Sequence, residues 1–298
     1  MAAPSTLPNR VFRAEVLHSR TLTPGMIRIT LGGPDMADYA TTGIGDEYLR
    51  LFLPEPHETV ARLPFATEEY WDFAEGVEPS PMRTYTVRAW RPGEIDIDFV
   101  VHPGGVAAEW AMRAEPGHVV GVNTPRSLYA APEDAEWVLL LADATGLPAA
   151  ARLLEQLDPA LTVRAIIEIA EDAHRQEIAH GPNASIEWVL GGNGHGRSAI
   201  ADLIEAQSLP SGPGYVWVAG ETRQTRAVRK HLRHGLGLPA AAYKIIGYWV
   251  DGDEDWASRY EGLDESVRTR LRAMWEQKDK SEEEITDEYE DELTRLGL

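Results

Sequence analysis

The stretch MRTYTVRAW places a guanidinium, a phenol ring and two hydroxyls on four consecutive residues, Arg83, Thr84, Tyr85 and Thr86. Side chains alternate along a strand, so Arg83 and Tyr85 share one face and Thr86 opens to the other. The planar fork of Arg83 matches phosphate oxygens. The Tyr85 ring can stack flat on an isoalloxazine ring, and the Thr86 hydroxyl can hydrogen-bond that ring where it accepts hydride. These are three parts of a flavin site, with Tyr85 and Thr86 at the reacting ring and Arg83 and Thr84 along the rest of the cofactor. Because R-x-Y-T also occurs in ordinary strands, the assignment depends on what surrounds it.

The next segment, EIDIDFVVHPGGVAAEWAMR, adds an anion site. Ile95, Ile97 and Phe99 alternate with Glu94, Asp96 and Asp98, which is the period of a strand. His102 ends it, Pro103, Gly104 and Gly105 turn the chain, and VAAEWAMR has a helical pattern. A glycine turn running into a helix N-terminus leaves backbone N–H groups free to meet a pyrophosphate, and His102 stands beside them. A hairpin and connecting helix without a ligand is the plain alternative. The position of the segment, directly downstream of Arg83 to Thr86, favours the flavin site.

Residues 11 to about 125 supply the strands that must hold these groups. VFRAEVLHSRTLT, MIRITLGG, EYLRLFLP, TYTVRAW, EIDIDFVVH and HVVGVN are short strands between Gly, Pro and Asp turns, the spacing of a small closed barrel. The insertion from Pro54 to Pro81 reads as a long loop or lid beside the site. After Pro125 the texture changes. EWVLLLAD, TVRAIIEIA, SIEWVL, GYVWVAG and YKIIGYWV read as buried strands, with Trp188 and Trp217 as core residues. Helical patterns in GLPAAARLLEQL, GRSAIADLIEAQ and ETRQTRAVRKHLRHGL alternate with them. That alternation predicts a doubly wound parallel sheet. In the tail, Leu263, Val267, Leu271 and Trp275 recur every four residues, as do Ile285, Tyr289 and Leu293. Ser281 and Glu284 suit a capping box, so two packed helices are expected. The predicted fold is a β-barrel plus α/β protein: a Greek-key-type FAD-binding barrel (1–127), a nucleotide-binding α/β domain (128–250) and an acidic helical extension (251–298).

The chain has 298 residues, enough for two ordinary domains, and no cysteine. Disulfides, thiolate zinc sites and cysteine-bound iron–sulfur clusters are therefore excluded. No run of 18 apolar residues is present, so no membrane span is expected. MAAPSTLPNR lacks a hydrophobic signal core, which predicts a cytoplasmic protein. A net charge of −20 argues against nucleic-acid binding. Residues 251–298 hold 17 acidic and 7 basic side chains, half of that excess. A solvated helical face is the simple reading, and a docking surface for a basic partner is the alternative. The run from Gly191 to Gly196 is glycine-rich but does not follow the first strand of the sheet, so a plain connection is expected. His231 and His234 have helical spacing but no third ligand nearby, so a basic helical surface is expected and no metal site.

Taken in order, MRTYTVR, DIDFVVH-PGGVAAEWA, LLLADATGLPAAARLLE, VWVAGETRQTRAVRKHLRHGLGLP and IIGYW resemble the siderophore-interacting proteins, over about Asn9 to Leu298. The resemblance implies a ferredoxin-reductase-like, FAD-dependent reductase of ferric siderophores, fed by NADH, NADPH or a ferredoxin and passing electrons singly to Fe(III). It implies that Arg83, Tyr85 and Thr86 form the FAD motif and that Asp98, Val100, His102, Gly105 and Ala107 form a second FAD segment. Asp143, Thr145, Leu147 and Pro148 match the family's D-x-T-x-L-P turn, which serves the nicotinamide nucleotide or the FAD edge, and Trp249 of GYW is expected near the cofactor. The chain departs from the family at Ala144 and Gly146, where Glu and Ala are usual, and at Val250 and Asp251, where a basic residue is frequent. It also reads Pro125-Arg126-Ser127-Leu128 where PRGS is usual. Ferric siderophores are often anionic, so a basic pocket over the flavin is expected, with Arg50, Arg126 and Lys244 as its candidates. Each of the three is otherwise an ordinary surface charge. Two further readings stay open: a general NAD(P)H- or ferredoxin-linked flavin reductase for another acceptor, and a siderophore-binding carrier whose FAD is structural.

Overall fold

In the computed structural model, which describes residues 7–67, 70–102, 104–192, 197–251, 259–260, 262–275, 277, 280 and 282–297, the strand-rich half is one antiparallel sheet. Its strands are β1 (Val11–Thr23), β2 (Met26–Gly32), β3 (Tyr48–Phe52), β6 (Met82–Thr86), β7 (Ala89–Arg91), β8 (Glu94–Val100) and β9 (Val119–Asn123). A small hairpin, β4 (Phe65–Ala66) and β5 (Trp71–Asp72), lies in the insertion, where Trp71 and Phe73 cover Phe52. The order β6-β3-β9-β1-β2-β8-β7 curls until β6 meets β8. There the Tyr85 and Phe99 rings lie 4.4 Å apart, and the Arg88 amide donates to the Asp96 carbonyl at 2.8 Å. Leu49, Leu51, Ile29, Ile95, Ile97 and Phe99 fill the interior together with Trp110 of helix α1 (Val106–Arg113).

Two details differ from the sequence reading. TYTVRAW is not one strand. The chain leaves β3 after Thr86 and joins β8 from Ala89, so Val87 and Arg88 are a change of partner. Nor does β8 have a solvent face, because Asp96 and Asp98 are as buried as the apolar residues between them. Asp98 takes both Arg28 nitrogens at 2.6 and 2.7 Å, and Asp96 accepts from Arg91 and from Thr30. Burial works against charge on Asp96, but Arg91 and Thr30 outweigh it and hold the carboxyl below the usual range.

The second half contains β10 (Trp137–Ala142), α2 (Leu147–Gln156), β11 (Thr162–Ile169), β12 (Ala184–Leu190), α3 (Ile200–Glu205), β13 (Gly214–Glu221), α4 (Thr222–Lys230) and β14 (Tyr243–Trp249). All strands are parallel, in the order β12-β11-β10-β13-β14. β10, and β13 up to Gly220, carry only apolar or aromatic side chains because both of their faces are covered. The winding reverses between them, which makes their carboxyl ends the crevice of the sheet. β12 is an edge strand, not a buried one. Leu190 is exposed and Trp188 only half-buried, whereas Trp217 on β13 is core as expected.

The halves dock through a barrel loop, residues 41–47, seated on α2. A Cβ on Gly45 would lie 2.7 Å from the Leu153 backbone nitrogen, so only glycine permits this approach. Glu47, fully buried, meets Arg152 at 3.2 Å, and Asp46 accepts from the Trp217 indole at 3.2 Å. Arg88 and Glu155 close the outer edge. At the far side the turn between β1 and β2 rests on the second half, with the His174 ring over Gly25 and Gln176 donating to the Met26 sulfur.

Two helices complete the chain, α5 (Glu265–Met274) and α6 (Glu282–Arg295). Leu271 and Leu293 form a small core with Leu263, Val267 and Tyr289, while Trp275, placed by its spacing in the same stripe, is half exposed. The acidic face of α6 lies on the basic side of α4 and the π-helical turn after it: Glu290 meets Arg229 and Asp287 meets Arg233, both at 2.6 Å. Part of the acidic excess thus finds its basic partner inside the chain. Ser281 of the expected capping box, residues 193–196 of the glycine run and Pro103 lie outside the described residues. Among the described residues no helix is long and apolar enough to cross a membrane, and no three His, Cys, Asp or Glu side chains are placed to share a metal.

Gly45→Ala is expected to lower stability by about 1–3 kcal/mol, the range for a forced overlap with rigid backbone, read from denaturant unfolding. Asp96→Asn is expected to cost about 1 kcal/mol at neutral pH. A carboxyl held low contributes stability above the ordinary carboxylate range and loses it as pH falls through its folded value. The gap between Asp96→Asn and the parent should therefore close below about pH 4 in pH-dependent unfolding.

Candidate functional site

The two segments expected to hold a flavin are joined by a column of aromatic rings. Tyr85 on β6 packs on Phe99 of β8, and Phe99 packs on Trp110 of α1 with centroids 5.5 Å apart. These ring contacts tie α1 and β6 to the same strand, β8. Gly105 caps that helix without a side-chain hydrogen bond, so the amides of its first turn stay open. The His102 ring lies across Gly105, where a Cβ would sit 2.4 Å from the ring carbon Cε1. Arg83 is exposed and donates to the Met82 carbonyl at 2.9 Å, with no carboxylate partner among the described residues. A free guanidinium, open helix amides and a glycine with an imidazole over it suit a pyrophosphate. Burial pushes the Tyr85 phenol up, only partly offset by the charge of Arg83 on the same face.

Thr86 faces the other way, towards the parallel-sheet unit. It pairs with Tyr48 across the ladder and lies within hydrogen-bonding reach of the Tyr248 hydroxyl. Tyr248 owes its aim to the sheet. Gly220 pairs with Gly247 but Glu221 with Trp249, so Tyr248 is the extra residue of a bulge, and bulges re-aim side chains. Burial raises the Tyr248 phenol, and the charge of Asp46 adds to the effect. The sequence reading singled out Trp249 and passed over Tyr248. The only available signal was its place inside GYW.

The expected turn Asp143 to Pro148 does stand at the crevice, but its carboxylate faces inwards. Asp143 Oδ1 accepts from the Thr145 hydroxyl at 2.6 Å and its amide at 2.8 Å. Oδ2 accepts from the Trp249 indole at 2.8 Å and the Glu221 amide at 3.0 Å. Burial raises this carboxyl, and its hydrogen bonds only partly offset the rise. Asp143 therefore ties together the ends of β10, β13 and β14, with Trp249 held half-buried above them. Leu147 and Ala107 are core residues, Val100 packs on the same cluster as Tyr248, and Asp98 is occupied by Arg28. These four shape the site from behind. Thr84 is exposed on β6, opposite Arg50.

Two of the three expected cations, Arg50 and Arg126, adjoin Tyr48. The Arg50 guanidinium lies 5.9 Å from the Tyr48 ring, and Arg126 exchanges both backbone hydrogen bonds with Tyr48 at 2.7 and 2.9 Å. The charge of Lys244 acts on Asp46, two residues away. Burial raises Asp46, against its backbone and indole donors and Lys244. None of the three cations makes a salt bridge among the described residues, although most arginines of the chain do.

Residues 15–129 match the family model described as the siderophore-interacting FAD-binding domain, and residues 135–252 the model described as siderophore-interacting protein. The NADPH-dependent ferric-chelate reductase of Escherichia coli (strain K12) is 33% identical over 238 residues, covering 78% of this chain and 91% of that protein. The ferric vibriobactin reductase ViuB of Vibrio cholerae is 27% identical over 255 residues, covering 83% and 92%. The crystal structure of a siderophore utilization protein from T. fusca superposes with a TM-score of 0.76 at 31% identity, over 84% of this chain and 96% of that one.

Proposed function

The chain belongs to the siderophore-interacting protein family, and from that premise we propose that it is an FAD-dependent reductase of ferric siderophores that draws on NADH or NADPH and releases Fe(II). The observation that supports this reading is the aromatic column Tyr85–Phe99–Trp110, which joins the strand of Arg83 and Thr86 to β8 and to α1, whose N-terminus has no side-chain cap. When bound there, FAD supplies two-electron acceptance from the nucleotide and one-electron delivery to iron.

The chain's own residues have separate tasks. Arg83, His102 and the α1 amides bind the phosphates, with Gly105 leaving room for them and Thr84 lining the same strand. Tyr85 and Trp249 flank the ring, and Thr86 places its hydroxyl at the reacting edge. Asp98, Val100, Ala107, Asp143, Thr145 and Leu147 fix those groups from behind. Arg50, Arg126 and Lys244 draw in an anionic ferric chelate, a role favoured by their lack of carboxylate partners on so acidic a chain. No covalent bond to the protein is needed. We place the enzyme in the cytoplasm, where its reductants are made, with a ferredoxin as a further donor.

The purified protein should carry FAD and be reduced anaerobically by NADH, NADPH or reduced ferredoxin, supplied in turn, then reoxidised by a ferric siderophore with Fe(II) trapped by a chelator. Equal reoxidation by any acceptor would favour a general flavin reductase, and no reduction by any donor would favour a carrier with structural FAD. Arg83→Ala should weaken FAD binding by about 1.5–3 kcal/mol, the scale of a charge-assisted hydrogen bond, in a fluorescence titration. Replacing Arg50, Arg126 and Lys244 together by Ala should raise KM for an anionic ferric siderophore without changing FAD occupancy. An unchanged KM would mean that they are ordinary surface charges.

A further inference from the structure

We propose that Arg152, on helix α2 of the parallel-sheet unit, is a positioning residue for Thr86 and so for the flavin ring; the proposal rests on the FAD reading above. Its guanidinium never reaches the site. It grips the two chain segments that flank the site's strand pair. Arg152 Nη1 donates to the Val87 carbonyl at 2.5 Å and to Glu47 Oε1 at 3.2 Å, and Nη2 donates to the Thr41 hydroxyl at 3.3 Å. Val87 follows Thr86, and Glu47 precedes Tyr48, the ladder partner of Thr86. The Val87 amide in turn donates to the Glu47 carbonyl at 2.8 Å. The residues next to both members of the Thr86–Tyr48 pair are thus bonded to each other and to one guanidinium.

This point of the barrel needs an external hold. At Val87 the β3 ladder has ended and the β8 ladder has not begun, so one amide hydrogen bond to Glu47 is the backbone hold on the residue after Thr86. Arg152 replaces the missing ladder. The side chain is 5% exposed and Glu47 is fully buried. Burying such a pair contributes little net stability and is better suited to fixing geometry. The second unit also holds Asp46 through Trp217 and approaches Thr86 through Tyr248, so three contacts from one side converge on the same short segment. Arg152 is the only one of them that bonds to the backbone of the flavin strand.

A hydroxyl at the reacting edge meets the oxidised and the reduced ring differently, so loosening it should change the midpoint potential as well as affinity. The test compares Arg152→Lys, Arg152→Met and Glu47→Gln with the parent. It reads FAD dissociation constant, midpoint potential by dye equilibration and melting temperature. Arg152→Met should weaken FAD about tenfold and move the potential; a tenfold loss confined to one redox state corresponds to ~30 mV for a two-electron couple. Arg152→Lys keeps the charge opposite Glu47 but replaces the planar fork, which donates from two separate nitrogens, by one compact ammonium, so it should restore only part of both values. Glu47→Gln keeps the shape of the site and should shift the potential in the same direction by less, which preserves the test if Arg152→Met does not fold. A lowered melting temperature with unchanged FAD affinity and potential in Arg152→Lys and Glu47→Gln would overturn the proposal and leave Arg152 a docking contact only. A parent protein that takes up no FAD would instead overturn the functional reading itself.

Discussion

A carboxylate with no access to water must be met by a partner, and Glu47 is met by an arginine from the other half of the molecule. That requirement fixes how the barrel and the parallel sheet sit together. Gly45 brings the loop down to the backbone of α2, Asp46 hands one oxygen to Trp217 deep in the sheet, and Tyr48 opens β3 immediately afterwards. Docking and site building are therefore done by the same four residues.

Polar groups inside the molecule are arranged on the same principle. Asp143 meets five donors from its own turn, β13 and β14, and Asp98 accepts from the Arg28 guanidinium with both oxygens. Each uses charge to hold strand ends that apolar packing alone would leave imprecise. On a chain with a net charge of −20, Arg50, Arg83, Arg126 and Lys244 are among the described cations that make no salt bridge. Arg50 and Arg83 lie on the paired strands β3 and β6, and Arg126 bridges to Tyr48 at the start of β3.

Much of this architecture was legible in the sequence. β1, β2, β8 and α1 fall where alternation and helical spacing put them, and the strand–helix alternation after Pro125 gives the parallel sheet. The errors have a common cause: periodicity reports local pattern and not the partner. TYTVRAW alternates without interruption, so its change of partner at Val87 leaves no trace in residue type. Asp96 and Asp98 look like a wet face because their arginines come from elsewhere in the chain. SIEWVL is apolar enough for a central strand, yet the winding order sends it to the edge. Within the site, Arg83, Thr86 and Gly105 were visible through motif and turn chemistry. Tyr248 was not, because a bulge is a property of register, and Arg152 was not, because one arginine in an alanine-rich helix looks like any solvent-facing charge.

The C-terminal helices illustrate two kinds of attachment in one element. Internally α5 and α6 hold each other with Leu271 and Leu293, an oily contact that dissolved ions barely touch, and with the Arg270–Glu292 ion pair at its edge. Their seat on α4 is mostly ionic, through Glu290 and Asp287, in partly solvated positions. Ionic strength therefore acts on the two contacts unequally, loosening the seat while sparing the hairpin. Salt is expected to slacken the seat of α6 on α4 before it touches the leucine contact between the two helices.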